Sequence, residues 1–323
     1  GGPMYVITQG LSKKFHPLAY LFSFAGLLGC LSLFQANQLT QIVQDQIYTP
    51  LGYFENNPVI GQLLVGLFMA AVISAVIFGG IRRIGQVASR LVPSMVVIYM
   101  LCGVFILIRN FGIIDDIFLS IVRDAFTGEA VLGGSMGAVI VIGIRRAAFS
   151  NEAGIGTAPM AHGASKTSEP VREGLVAMLG PAIDTLFVCT LTALAILVTG
   201  VWQSSDANGV SLTAMAFNDA IPGIGKYVLL LCIATFSISS LFTYSYYGTK
   251  CMSFLFGDHN KHYYNYFYIA SILLGATTSL SLMLNLIDGT FALMAIPTMT
   301  ATLILAPKVV KEAKAYFIRM KNH

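Results

Sequence analysis

Apolar residues run along this chain in long blocks rather than in the alternating or one-in-four patterns of a soluble fold. Eight such blocks can be marked, roughly 17–42, 59–80, 92–111, 131–163, 174–202, 223–247, 264–287 and 289–307. Most are close to the length of about 20 residues that crosses the hydrocarbon of a bilayer. A backbone in lipid must satisfy its own hydrogen bonds, and runs this long exclude barrel strands, so the blocks predict membrane-spanning helices. Pro159, Pro181 and Pro297 fall inside them; neighbouring helices can re-satisfy the groups a proline frees. Residues 112–130 read differently. Asp115 and Asp116 are followed by Ile117, Phe118, Ile121 and Val122, a spacing that suits a short amphipathic helix at the membrane surface.

Composition agrees with the pattern. Apolar residues make up 56% of the 323, and charged residues only 11%. Soluble domains carry roughly a quarter charged residues, so too little polar surface exists for a water-soluble body. The few charges are sorted. Lys13, Lys14, Arg82, Arg83, Arg90, Lys166, Arg172, Lys250, Lys261, Lys308, Lys311, Lys314, Arg319 and Lys321 fall in alternate connections and the tail. The opposite connections hold Arg109 and Arg123, with Lys226 at a span edge. By the positive-inside rule the rich side is cytoplasmic, and both ends of the chain face it. The basic tail from Lys308 reads as an extension of the last helix drawn to anionic membrane lipid.

Several functions lack their chemistry. Cys30, Cys102, Cys189, Cys232 and Cys251 lie in or beside apolar blocks without a metal-type spacing, and read as small core residues. The five histidines form no HExxH-type pair, so no protein-bound metal or other cofactor is indicated. No partnered nucleophile and base suggests an enzyme. No filter-like repeat suggests a channel, and no nucleic-acid partner is expected.

The fourth block carries the polar chemistry. After Val131–Ile144 come Arg145 and Arg146, and then Ala147-Ala148-Phe149-Ser150-Asn151-Glu152-Ala153-Gly154-Ile155-Gly156-Thr157-Ala158-Pro159. A charged group at membrane depth costs about 2.5–3.5 kcal/mol by insertion scales and persists beside a partner or a wet cavity. Two glycines and a proline oppose a continuous helix. The prediction is a helix, about 131–163, broken near the bilayer midplane. In transporters such a break presents free backbone groups to substrate and ion.

The stretch Phe149–Pro159 with Ala161-His162 resembles the signature of the sodium:alanine symporter family. The likeness extends to Gly1-Gly2-Pro3-Met4-Tyr5, Gln35-Ala36-Asn37, Gly79-Gly80-Ile81-Arg82-Arg83-Ile84-Gly85, Val92-Pro93, Gly180-Pro181, Asp184-Thr185, Cys189-Thr190, Thr192, Ser245-Tyr246-Tyr247-Gly248 and Leu293–Pro297. The resemblance implies an all-α polytopic membrane protein with the leucine-transporter type of inverted-repeat fold. The eight transmembrane helices would be core helices three to ten, in one transporter domain over 1–323. The first two core helices would be lacking, so the chain reads as an N-terminally truncated fragment of a longer protein.

It also implies a function: symport of a small neutral amino acid, alanine or glycine, with Na⁺ across the cell membrane by alternating access. A proton-coupled or differently selective transporter of the same fold is the rival. The expected substrate-binding residues are Gln35, Asn37, Asn151, Glu152, Gly154, Gly156 and Thr157. Gly154 and Gly156 would open the backbone to the ligand. Gln35 and Asn37 could instead serve interhelical hydrogen bonding. Glu152 could pair with Arg145 or Arg146, act as a gate, or bind the ammonium. For sodium, a hard cation that takes oxygen ligands, the resemblance points to Ser239 and Ser240 with the carbonyl of Phe236. Asp184 serves an ion site or pairs with an arginine. Asp288 is expected to cap the last span. Two positions depart from the family's usual residues. Thr298 stands where Asn is common, and Thr243-Tyr244 stands where Gly-Trp is common.

Overall fold

The computed structural model describes residues 1–126, Val141, Gly143 and residues 152–322. It is built from helices. A short helix α1 (Pro3–Gly10) precedes α2 (His16–Gly29) and α3 (Leu33–Val43). Then come α4 (Pro58–Ile77), α5 (Gly80–Arg109) and the surface helix α6 (Ile114–Phe126). Two helical turns follow, α7 (Glu152–Ile155) and α8 (Ala158–His162). Next are α9 (Pro170–Pro181), a π-helical stretch Ala182–Cys189, and α10 (Thr190–Thr199). The chain ends with α11 (Gly209–Ala220), α12 (Gly225–Phe256), α13 (Lys261–Thr277) and α14 (Leu280–Lys321).

Six helical segments among the described residues are long and apolar enough to cross a membrane. The eight blocks of the sequence differ from these for local reasons. Block 131–163 lies mostly outside the described residues. Helix α13 has 17 residues, at the short end of the spanning range of about 17–25. The first block is not one helix. It breaks at Cys30–Ser32, where Ser32 takes a left-handed φ of 46°. The boundary between the last two blocks lies at Thr278–Ser279 and not at Asp288, which sits inside α14; the N-cap position is Ser279. Gly289 does not end the helix because, in lipid, breaking the backbone ladder costs more than a glycine does.

The long central helix α12 packs against α2, α3, α4, α5, α11 and α13, and α14 packs along α2. Small residues let these helices approach closely. A Cβ on Gly248 would run into the ring of Tyr264, and one on Gly275 would meet the backbone of Leu33. Tyrosines fix the same contacts through their hydroxyls. Tyr268 donates to the Leu241 carbonyl at 2.7 Å, and Tyr264 to the Leu27 carbonyl at 3.0 Å.

The outer faces are apolar and bare. Leu101, Phe105 and Ile108 on α5 and Leu67 and Phe68 on α4 are exposed. Such a continuous apolar surface fits lipid rather than water. Helix α14 reaches about 63 Å at 1.5 Å per residue, twice a hydrocarbon core of about 30 Å. Its basic end therefore projects beyond the bilayer, where Arg319 pairs with Glu169 at 3.1 Å.

Candidate functional site

Two helix breaks lie close to α12, which contacts α2, α3 and α8. One is the Cys30–Ser32 corner between α2 and α3. The other is Gly156, with a φ of 98°, between α7 and α8. The carbonyl of Glu152 gathers the broken turn, accepting from the Gly156 and Thr157 N–H groups at 3.0 and 3.1 Å. The buried Thr157 hydroxyl donates to the same oxygen at 3.4 Å.

Gly156 is needed here for two reasons. Its left-handed φ favours glycine, and an added Cβ would collide with the Thr298 hydroxyl, the Pro3 ring and the Phe22 ring. The Cβ side of Gly156 is thus filled by packing, not left open to a ligand. Thr298 replaces the common Asn with a hydroxyl that donates to the carbonyls of Ile155 and Met294, at 3.3 and 3.0 Å. It ties α14 to the broken turn.

Glu152 is partly buried, and its Oε1 accepts a hydrogen bond of 3.3 Å from the hydroxyl of Tyr244 on α12. Tyr244 is one of the two departures noted in the sequence. A tryptophan there would carry an indole N–H in its place. Asp184 and His162 lie near enough to act on the Glu152 charge. Asp184 sits in the π-helical stretch after Pro181, a distortion common at functional sites. Gly154 lies in α7 itself. Asn151, Arg145 and Arg146 lie outside the described residues.

The two amides of α3 have separate fates. The Asn37 amide donates to the carbonyls of Thr278 and Gly275, at 2.6 and 3.4 Å, and so caps the end of α13. Asn37 opens a polar chain. Gln38 donates to Asn37 Oδ1 and Gln41 Oε1 and accepts from the Val210 N–H at the start of α11. Gln41 donates to Ser211, and Ser211 donates to Asp45. Gln35 differs. Its Oε1 is buried and has no hydrogen-bond partner among the described residues.

On α12, the Ser239 hydroxyl donates to the Phe236 carbonyl at 2.8 Å. That brings together two of the expected sodium oxygens and leaves the Ser239 oxygen free to accept. Ser240 is adjacent and half-buried, while the Phe236 ring faces outward. The structure therefore joins Glu152, Thr157 and Gly156 in one turn, and Phe236 with Ser239 in another. It takes Asn37 away into the outer network.

Sequence reasoning missed the Cys30–Ser32 corner, for which Gly29 and Ser32 were the only local signal. It missed the His162–Glu173 pair at 2.7 Å, which joins α8 to α9. It noted Tyr244 and Thr298 as departures but not what they touch.

Comparison with known proteins bears on this arrangement as a whole. The profile of the sodium:alanine symporter family matches residues 1–323. The sodium/alanine symporter AgcS of Methanococcus maripaludis is 36% identical over 328 residues, covering 100% of this chain and 70% of that protein. An uncharacterised transporter of Haemophilus influenzae is 33% identical, with the same coverage. The probable sodium/glutamine symporter GlnT of Bacillus subtilis is 31% identical over 100% of this chain and 65% of its own length. The chain belongs to the sodium:alanine symporter family: it is a multi-pass membrane transporter and not an enzyme.

Proposed function

We propose that this protein carries a small neutral amino acid, alanine or glycine, across the cell membrane together with Na⁺, by alternating access. The observation that carries the reading is the pairing of spare polar capacity with broken helices. A zwitterion needs acceptors for its ammonium and donors for its carboxylate. Gln35 Oε1 is a buried acceptor without a donor among the described residues. Glu152 is a second acceptor, whose Oε1 takes a hydrogen bond from the Tyr244 hydroxyl. The turn Glu152–Thr157 lies at a helix break, the kind of place that holds anionic groups in transporters. Phe236, Ser239 and Ser240 supply hard oxygens for Na⁺, and Asp184 adds a carboxylate within electrostatic reach of Glu152. Thr157 holds the turn rather than the ligand, and Asn37 holds α13.

The proposed frame is the leucine-transporter type of inverted repeat, with eight spans in this chain and both ends cytoplasmic. Outside Na⁺ and substrate fill the midplane site, the bundle rocks against its scaffold, and both are released inside.

A second reading is favoured by one specific observation. Tyr244, in place of the common Trp, hydrogen-bonds a carboxylate that could carry a proton. A proton-coupled or differently selective member of the same fold follows from that. Uptake of labelled alanine and glycine by the full-length protein in proteoliposomes, under an imposed Na⁺ or H⁺ gradient, separates the two. Uptake driven by Na⁺ alone supports the symporter. Uptake driven by H⁺, or uptake of neither amino acid, removes the ion or the substrate assigned here.

A further inference from the structure

A cavity of about 420 Å³ opens away from the midplane site, where the end of α12, the end of α4 and the start of α13 meet. Short connections make α12, α13 and α14 run up, down and up, so this cavity shares its end of the bundle with the basic tail of α14. Its volume lies within the usual range for a bound small group, about 300–1,000 Å³.

Its lining is an anion's complement. Lys250, Lys261 and His262 face it, with Asn265 behind them and the rings of Phe78 and Tyr246 at the sides. One carboxylate, Asp258, is present. It is already held by Lys261 at 2.8 Å and by the Ser253 hydroxyl at 3.0 Å. Lys250 makes no ion pair among the described residues; its Nζ stands 5.3 Å over the Tyr246 ring. Lys261, His262 and Asn265 belong to the first turns of α13, whose leading N–H groups add positive potential. Beside the opening, the exposed rings of Phe78 and Tyr266 lie 5.6 Å apart on the lipid-facing wall. Cationic donors at the rim and apolar rings on the lipid side match a molecule with a phosphate and a hydrocarbon tail. A soluble anion has no use for the rings.

We propose that this cleft holds the phosphate of an acidic phospholipid, drawn from the leaflet that faces the basic connections. Basic pockets between helices on that side bind acidic headgroups on general electrostatic grounds. The inference does not depend on which amino acid or ion is carried. Bound there, the lipid would tie α4 to α12 and α13 at the point where those helices leave the membrane.

The test is thermal unfolding of the full-length protein in detergent, titrated with phosphatidylglycerol, with phosphatidylcholine and with inorganic phosphate. Phosphatidylglycerol is expected to raise Tm to a plateau, and the other two are not. Lys250→Gln should weaken the apparent affinity about fivefold, and Lys250→Gln with Lys261→Gln about 30-fold, at about one lysine's worth of surface attraction each. Lys226→Gln, at the opposite end of α12, should leave it unchanged. An equal shift from phosphatidylcholine overturns the headgroup, and an equal shift from inorganic phosphate overturns the lipid. A cleft variant that matches the native protein, or a Lys226 variant that loses as much, overturns the site. Lys250→Gln breaks no ion pair, so it decides the matter alone if the double variant does not fold.

Discussion

The outer end of α3 and the middle of the bundle both contain buried polar side chains, yet they use them in opposite ways. At the outer end every group is spoken for. Asn37 caps Thr278, Gln38 holds the start of α11, and Gln41 and Ser211 lead out to Asp45. In the middle the pairing is incomplete. Gln35 Oε1 has no partner among the described residues, and Glu152 Oε1 accepts from the neutral Tyr244 hydroxyl at 3.3 Å. A buried polar atom without a partner costs about 1–3 kcal/mol. That cost is carried within two residues of a helix turn where Asn37 is fully satisfied. The contrast separates amides that hold the fold from the amide proposed above to meet the ligand.

The strongest blow to the comparison is Gly156→Leu. It forces a left-handed φ on a branched side chain and drives atoms into Thr298, Pro3 and Phe22. Strain and overpacking together should cost about 2–5 kcal/mol. Uptake should vanish, and thermal unfolding should shift down by several degrees. A variant that melts and transports normally would remove the broken turn from the site.

The next test sets the two α3 amides against each other. Asn37→Ala leaves the Thr278 carbonyl unbonded and should destabilise by about 1–3 kcal/mol, with little change in the KM of the folded fraction. Gln35→Met should do the reverse. It removes an unpartnered atom, so the melting temperature should hold or rise. KM for the amino acid should climb about tenfold or more, the worth of a hydrogen bond to a charged group. Equal effects on stability from both variants would erase the distinction.

Ser240→Ala sharpens the assignment of α12. The Na⁺ concentration for half-maximal uptake should rise several-fold, with KM at saturating Na⁺ nearly unchanged. Unaltered sodium dependence would take this helix out of the ion site.

The smallest effect lies outside the membrane. Hydrogen bonds from Lys261 and Ser253 hold the Asp258 carboxyl below its usual range. A depressed folded value means its stabilisation is present above the ordinary carboxylate pKa of about 3.9 and is lost as pH falls through the folded value. Melting curves of native protein and Asp258→Asn should differ slightly at pH 6 and converge toward pH 3. Curves that stay parallel over that range would show that the pair contributes nothing.

Much of the fold was legible along the chain. Among the described residues the long apolar blocks appear as helical segments, six of them long enough to span, the amphipathic stretch 112–130 contains α6, and the tail continues α14 to Lys321. Hydropathy and charge are sums over neighbours in sequence, and a bilayer acts on those sums. The family, too, was legible, because its signature is one contiguous run. The corner at Ser32 and the boundary at Thr278 were not. A left-handed serine is held by what packs on either side of it, and no local residue demands it. The end of α13 is fixed by an amide 241 positions away.

The candidate site divides along the same line. The sequence by itself determined that this protein lives in a membrane, which residues could bind a zwitterion and a hard cation, and that Gly156 lies in a weak helix. Only the tertiary structure decided which of those residues are free to do so. Asn37 and Gln35 are chemically alike and two residues apart, but at 3.6 residues per turn they point to nearly opposite sides of one helix and meet different neighbours. Whether a buried amide finds a carbonyl is a property of those neighbours and not of the amide.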